Sequence, residues 1–192
     1  MADKKHGHIH HSKSTRDILS ADRVLKAAGL KSGDVILDAG CGDGFISFTA
    51  SSTVREGKVY AIDVYPESIA AVKNEIKEKG INNIEAYVAD LTEKIPLDDD
   101  SIDLCVMANV LHGFVENQEV GPVMKEISRV IKPGGIFAVV EFKKIEGPPG
   151  PPFNVRIAPQ DVEDVVTPYG FEAVKMDIVG DYHYLVKALN KK

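Results

Sequence analysis

Five short apolar runs, separated by stretches with helical spacing, constrain this chain more than any other feature. They are DVILD (34–38), KVYAID (58–63), IEAYVA (84–89), IDLCVM (102–107) and IFAVVEF (136–142). Runs of that length with few polar residues read as strands buried on both faces. The segments between them carry helix signals. Helical spacing starts at Ser20 and stops at Gly29; Phe45 enters a second helix; Pro66 opens a third that Gly80 closes. A fourth runs from Val120 to Ile131, where Lys132-Pro133-Gly134-Gly135 ends it. Strands that alternate with helices pair in parallel, because parallel neighbours need a crossover. The expected fold is α/β, a doubly wound Rossmann-like sheet. A last helix from Pro159 to about Pro168 precedes Phe171–Val179 and Tyr182–Leu189, joined at Gly180-Asp181 as a hairpin with at least one antiparallel strand.

At 192 residues one core suffices. The expected division is a flexible polar tail over 1–19 and a single domain over 20–192. The loop GPPGPP (147–152) is stiff and extended, and only about forty residues follow it, too few for a second core. It reads as a surface connection or the edge of a lid. No apolar run is long enough to span a bilayer, and the polar start has no apolar core of a secretory signal. Two thiols, Cys41 and Cys105, suggest a reducing compartment, and a cytoplasmic location is expected. A formal net charge of −6 argues against nonspecific nucleic-acid binding. His6, His8, His10 and His11 read as part of the polar tail rather than as a metal site, and no metal is expected.

The first strand runs directly into a glycine turn, VILDAGCGDGF (35–45). In an open α/β sheet this turn sits at the ligand crevice. The dinucleotide fingerprint needs G-x-G-x-x-G, but here the spacing is G-x-G-x-G and Phe45 stands at the third glycine's place. Asp38 and Asp43 flank the turn and disfavour a phosphate at the helix start. Asp63 ends the second strand, nineteen residues past Gly44, where a carboxylate can accept both ribose hydroxyls. Asp90 ends the third strand, where it can take an adenine amine, with Val64 and Leu91 offering apolar surface to the ring. The ligand these acids describe is an adenosine with a cationic, amino-acid-like tail.

With LDAGCGDG, AIDVYPESI, VADLTEKIPLDDDSID and RVIKPGGIFAVVEF in this order, the chain resembles class I S-adenosylmethionine-dependent methyltransferases over roughly Leu30 to Leu189. The resemblance implies a seven-stranded sheet of order 3-2-1-4-5-7-6 with strand seven antiparallel, and S-adenosyl-L-methionine as cofactor. It further implies that the Gly40-Cys41-Gly42 backbone approaches the methionine part and that Asp38 orients its ammonium. Asp63 and Val64 would hold the ribose and ring, Asp90 and Leu91 would read the adenine, and Asn109-Val110-Leu111 would line the methyl-transfer face.

Methyl transfer needs donor and acceptor held in line, and a base only if the acceptor loses a proton. His112, after strand four, is the candidate base; its alternative is a structural loop histidine. Glu141 is either a second polar group in the cleft or a residue facing a helix. Tyr182 and His183, at the hairpin, read as packing or surface residues more than as catalytic ones. Cys41 has no base near it in the chain and reads as a packing residue, not a nucleophile. The core resembles the arsenite and quinone C-methyltransferase group, without the arsenite enzymes' cysteines and without the insertion after strand five usual in the quinone enzymes. A small-molecule acceptor is expected. An RNA or protein acceptor, or a non-catalytic cofactor-binding module, are the alternatives. A homodimer through the Pro-rich loop or terminal hairpin is left open.

Overall fold

A computed structural model describes residues 15–147 and 149–192; the histidines at 6, 8, 10 and 11 lie outside them. The seven strands are β1 (Val35–Ala39), β2 (Lys58–Asp63), β3 (Ile84–Val88), β4 (Ile102–Ala108), β5 (Ile131–Phe142), β6 (Phe171–Ile178) and β7 (His183–Asn190). They form one sheet in the order β3-β2-β1-β4-β5-β7-β6. Neighbours are parallel from β3 to β5, while β7 runs antiparallel to both β5 and β6. The sheet order and the antiparallel β7 agree with the expectation.

Among the described residues six α-helices cover the sheet: α1 (Ala21–Ala28), α2 (Phe45–Thr53), α3 (Pro66–Lys79), α4 (Leu111–Glu116), α5 (Val120–Val130) and α6 (Pro159–Val166). Because successive side chains along a strand point to opposite faces, two cores result. Ile36, Leu104 and Val106 pack with Val24, Ile46 and Val72 from α1, α2 and α3. Leu37, Cys105 and Met107 pack on the other face with Leu111, Ile127 and Val162 from α4, α5 and α6. Local signals set the helix ends. Ser20 Oγ accepts from Arg23 N at α1, Gly29 ends α1 at φ 88°, and Gly80 ends α3 at φ 62°.

Three expectations shift. The packed body begins before residue 20: Thr15–Asp17 form a 3-10 turn and Leu19 is buried. The helix before Lys132 ends at Val130, and Ile131 already pairs with Ile102. Between that pair and Leu104↔Ile136 the register shifts, so Lys132-Pro133-Gly134-Gly135 makes a bulge inside β5. The loop between Asn109 and Val120 contains a helix, α4, that no local signal announced. Among the described residues no helix is long and apolar enough to cross a membrane.

Candidate active site

The strand order reverses between β1 and β4, and the cleft opens at the carboxyl ends of the strands around that point. β1 delivers the chain into the Gly40–Gly44 turn. Gly40 N and Cys41 N both donate to Ile62 O, at 2.8 and 2.9 Å, which ties the turn to the end of β2. Gly40 has φ +80°, and a Cβ there would stand 2.6 Å from Val110 Cγ2. The turn and the segment after β4 therefore close on each other with no room for a side chain. Gly44, at φ +76°, makes a second demand: its Cβ would lie 3.0 Å from both Phe48 and Val72. This is the helix-packing role of the missing third glycine, supplied one residue before Phe45.

Four carboxylates surround the turn, and the structure separates their duties. Asp63 Oδ2 accepts from Gly42 N at 2.8 Å and its Oδ1 from Tyr65 N at 2.9 Å, so backbone N–H groups fix its orientation. Asp90 Oδ1 accepts from Thr92 N at 2.8 Å and Thr92 Oγ1 at 2.7 Å; among the described residues no hydrogen bond reaches Oδ2. Both line the cleft. Asp38 is buried behind the turn, where its Oδ2 accepts from Ser47 Oγ at 2.6 Å. Burial raises its pKa to about 7, against the opposing pull of the Ser47 hydrogen bond. Asp43 is engaged by Arg16 Nε at 2.9 Å, and its Oδ1 accepts from Phe45 N. The sequence reading weighed Asp43 as charge facing a ligand; instead it joins the turn to the segment preceding α1.

After β4 the chain turns sharply at Asn109, a non-glycine residue at φ 59°. Its amide nitrogen and oxygen are both buried at the wall of the cleft, and among the described residues neither has a hydrogen-bond partner. The helix α4 that follows has no cap from its own side chains. Glu141, almost wholly buried in β5, takes that role: its Oε1 accepts from His112 N at 3.0 Å and its Oε2 from His112 Nδ1 at 2.8 Å. One carboxylate thus fixes both the backbone and the ring of His112. Burial alone would lower the His112 pKa, but the Glu141 hydrogen bond and charge, with Glu116 adding to them, carry it above 6.5. With Nδ1 donating to Glu141, Nε2 is the basic atom of the neutral ring.

The far wall comes from the loop after β5. Arg156 is 4% exposed, and its guanidinium donates to five main-chain carbonyls; among the described residues it makes no ion pair. Nε reaches Pro151 O, Nη1 reaches Lys143 O and Ile145 O, and Nη2 reaches Gly147 O and Pro149 O, all between 2.7 and 3.2 Å. Prolines lack an N–H and sit in extended backbone, so their segment leaves carbonyls unpaired that this fork of five donors can gather. The clasp sets Pro152, Asn154 and Val155 against the cleft. The cavity measures about 460 Å³.

Of the residues expected at the site, Gly40, Asp63, Val64, Asp90 and Leu91 line the cleft from the β1–β3 side. Asn109, Val110 and His112 line it from the β4 side. Asp38, Cys41 and Gly42 do not: Cys41 is 5% exposed and packs among Ala50, Val72 and Val106, and burial holds its thiol protonated. His183 is a packing residue, fully buried with its ring 4.1 Å from that of Phe142. Sequence reasoning missed Phe114, Glu116, Glu119, Asn154 and Val155, while Pro152 ends the loop read as a surface connection or lid edge. Among the described residues the cleft is lined by the carboxylates of Asp63, Asp90, Glu116 and Glu119 and by neither Lys nor Arg. With a turn that admits only bare backbone and an unpaired amide at Asn109, it fits a cationic adenosine cofactor and not a phosphate.

Comparisons with known proteins agree on the kind of domain. A family described as methyltransferase domain matches residues 30–185. The chain is 29% identical over 168 residues to the chloroplastic 2-phytyl-1,4-beta-naphthoquinone methyltransferase of Arabidopsis thaliana, covering 85% of this chain and 60% of that protein. It is 30% identical over 126 residues to a ubiquinone/menaquinone biosynthesis C-methyltransferase of Bdellovibrio bacteriovorus, covering 66% of this chain and 52% of that one. The chain thus spans little more than half the length of these curated relatives. A crystal structure of a SAM-dependent methyltransferase from Aquifex aeolicus superposes with a TM-score of 0.83 at 32% identity, over 93% of this chain and 94% of that one.

Proposed function

The chain belongs to the methyltransferase-domain family, whose cofactor is S-adenosyl-L-methionine, and on that premise we propose that it methylates a small organic acceptor that gives up a proton to His112. One observation carries this reading: the His112–Glu141 pair opens on the cleft that the cofactor carboxylates share. When bound, the cofactor supplies a methyl group already activated on a sulfonium, so the chain's own work is to orient, to exclude water and to move a proton.

Asp63 and Asp90 are the groups to hold the ribose and the adenine, each pre-set by backbone or Thr92 hydrogen bonds. Gly40 gives the methionine part access to bare backbone, and Asp38, behind the turn, supports α2 through Ser47. Glu141 holds the His112 ring so that Nε2 can accept a proton, and its negative charge stabilises the imidazolium that results. The names of the relatives support an acceptor of small-molecule size with an aromatic ring. Among the described residues neither Lys nor Arg lines the cleft, which weighs against RNA.

Calorimetry with S-adenosyl-L-methionine and S-adenosylhomocysteine tests the cofactor half. Transfer of labelled methyl to reduced naphthoquinone and simple phenols, with His112→Ala alongside, tests the acceptor half. No binding of either cofactor form would end the first; equal transfer by His112→Ala would end the second.

A further inference from the structure

We infer that β6 is a docking edge for a second copy of this chain, the two β6 strands pairing antiparallel about a two-fold axis at Met176. The strand ends the sheet, and among the described residues no strand pairs with its outer side. Its main chain is aimed there. Val179 N donates to His183 O, so in the antiparallel register Val179, Asp177 and Lys175 turn their N–H and C=O groups toward β7. Met176 and Ile178 then turn theirs outward, as donors and acceptors for another strand.

The side chains of the same segment fit a copy of themselves. Met176 and Ile178 lie opposite Val186 and Tyr184, which belong to the core covered by α4, α5 and α6. At the edge they stand 51% and 52% exposed, with Val174 at 45%. A core face that continues uncovered to an open edge is an apolar patch of the kind a partner buries. Lys175 and Asp177 occupy the other face, paired with each other at 2.9 Å. Asp177 Oδ2 is buried and, among the described residues, has no hydrogen-bond partner. With the axis at Met176, Met176 meets Met176 and Val174 meets Ile178. Each Lys175 then stands opposite an Asp177 of the other copy, bringing a second ammonium to that carboxylate. Moving the axis one residue either way sets Lys175 against Lys175 or Asp177 against Asp177, so charge selects one register. That self-complementarity favours a second copy over a foreign strand. The bulge at Val174, which has no partner on β7, bounds the paired stretch to 174–178. A seam so short is smaller than a standard interface and fits a dimer of micromolar affinity.

Sedimentation equilibrium of the full chain over about 5–500 μM should show the mass rise from 20.9 kDa toward twice that value. Asp177→Lys or Lys175→Asp alone puts like charges across the axis and should weaken association at least about tenfold. The two together reverse every pair and should restore the natural dimer to within about threefold. Circular dichroism shows whether each variant is folded. Lys175 is exposed, so Lys175→Asp decides by itself where Asp177→Lys does not fold: association of natural strength overturns the proposal, and the tenfold loss supports it. A monomer at every concentration, a dimer that survives the single substitutions, or a folded double variant that stays monomeric overturns it as well.

Discussion

His183 gives the sharpest test of the energetics. The imidazole is fully buried beside Phe142, and among the described residues neither ring nitrogen has a hydrogen-bond partner. Burial, with Lys143 and Arg156 adding positive charge nearby, lowers its pKa from 6.5 to about 4. The unfolded chain therefore takes up a proton at a pH where the folded chain refuses it. By linkage, stability is lost as pH falls through 6.5, and the loss levels off below about 4. The full difference of two and a half units corresponds to about 3.4 kcal/mol, of which about 2 kcal/mol is gone by pH 5. Asp38 masks this in the natural chain: its pKa, raised to about 7, makes the folded state hold a proton more tightly and stabilises it over the same range as pH falls. Only a variant separates the two. His183→Phe keeps a ring against Phe142, removes the titration and removes the unpaired nitrogens. Urea unfolding followed by circular dichroism at pH 7.5, 6 and 5 should show the variant gaining on the natural chain by about 2 kcal/mol between the first and last. A gap that stays constant with pH would refute the reasoning, whatever its size.

Further outcomes follow from the site. Asp38→Asn should gain about 2 kcal/mol on the natural chain as pH rises from 5 to 7, the opposite trend, read by the same unfolding series. Glu141→Gln keeps the size but loses one of the two hydrogen bonds to His112 and the charge; the rising limb of the pH–rate profile should lie above pH 6.5 in the natural chain and move down in the variant, with a roughly 10–100-fold slower rate. An unmoved limb would mean that His112 is not the titrating base. Gly40→Ala should cost about 2–4 kcal/mol from its φ of +80° and the overlap with Val110; adding Val110→Ala should recover the overlap and not the backbone strain. Arg156→Lys can satisfy at most three of five carbonyls and should expose the loop to protease near Pro151, at a cost of about 3 kcal/mol. Protease resistance equal to that of the natural chain would show that the loop holds without the clasp.

Elements with signals in their own residues were legible. Lys58–Asp63 and Pro66–Lys79 have the expected bounds because proline and glycine mark the ends of α3, and acids close the strands. Asp63 and Asp90 are legible at the cleft from their position at strand ends, and Asn109 from the family resemblance. What was not legible depends on partners far along the chain. Helix α4 is capped by Glu141, twenty-nine residues away, so no local spacing announces it. Glu141 itself alternates with apolar neighbours in a buried strand, which left its direction undecided until β5 was laid beside β4. Asp43 read as charge facing the ligand because its partner, Arg16, precedes the first recognisable helix. Nothing in the sequence singles out Arg156, since its hydrogen-bond partners are carbonyls that every residue possesses.

That last point bears on how the cleft can change. The guanidinium hydrogen-bonds to the main-chain carbonyls of Lys143, Ile145, Gly147, Pro149 and Pro151, groups that do not depend on which side chains those residues carry. Side chains at Pro152, Asn154 and Val155 can therefore be exchanged while the clasp is kept, so this wall of the cleft is free to diversify on a fixed mount. A library randomised at those three positions would sample new acceptors without reopening the question of whether the loop folds.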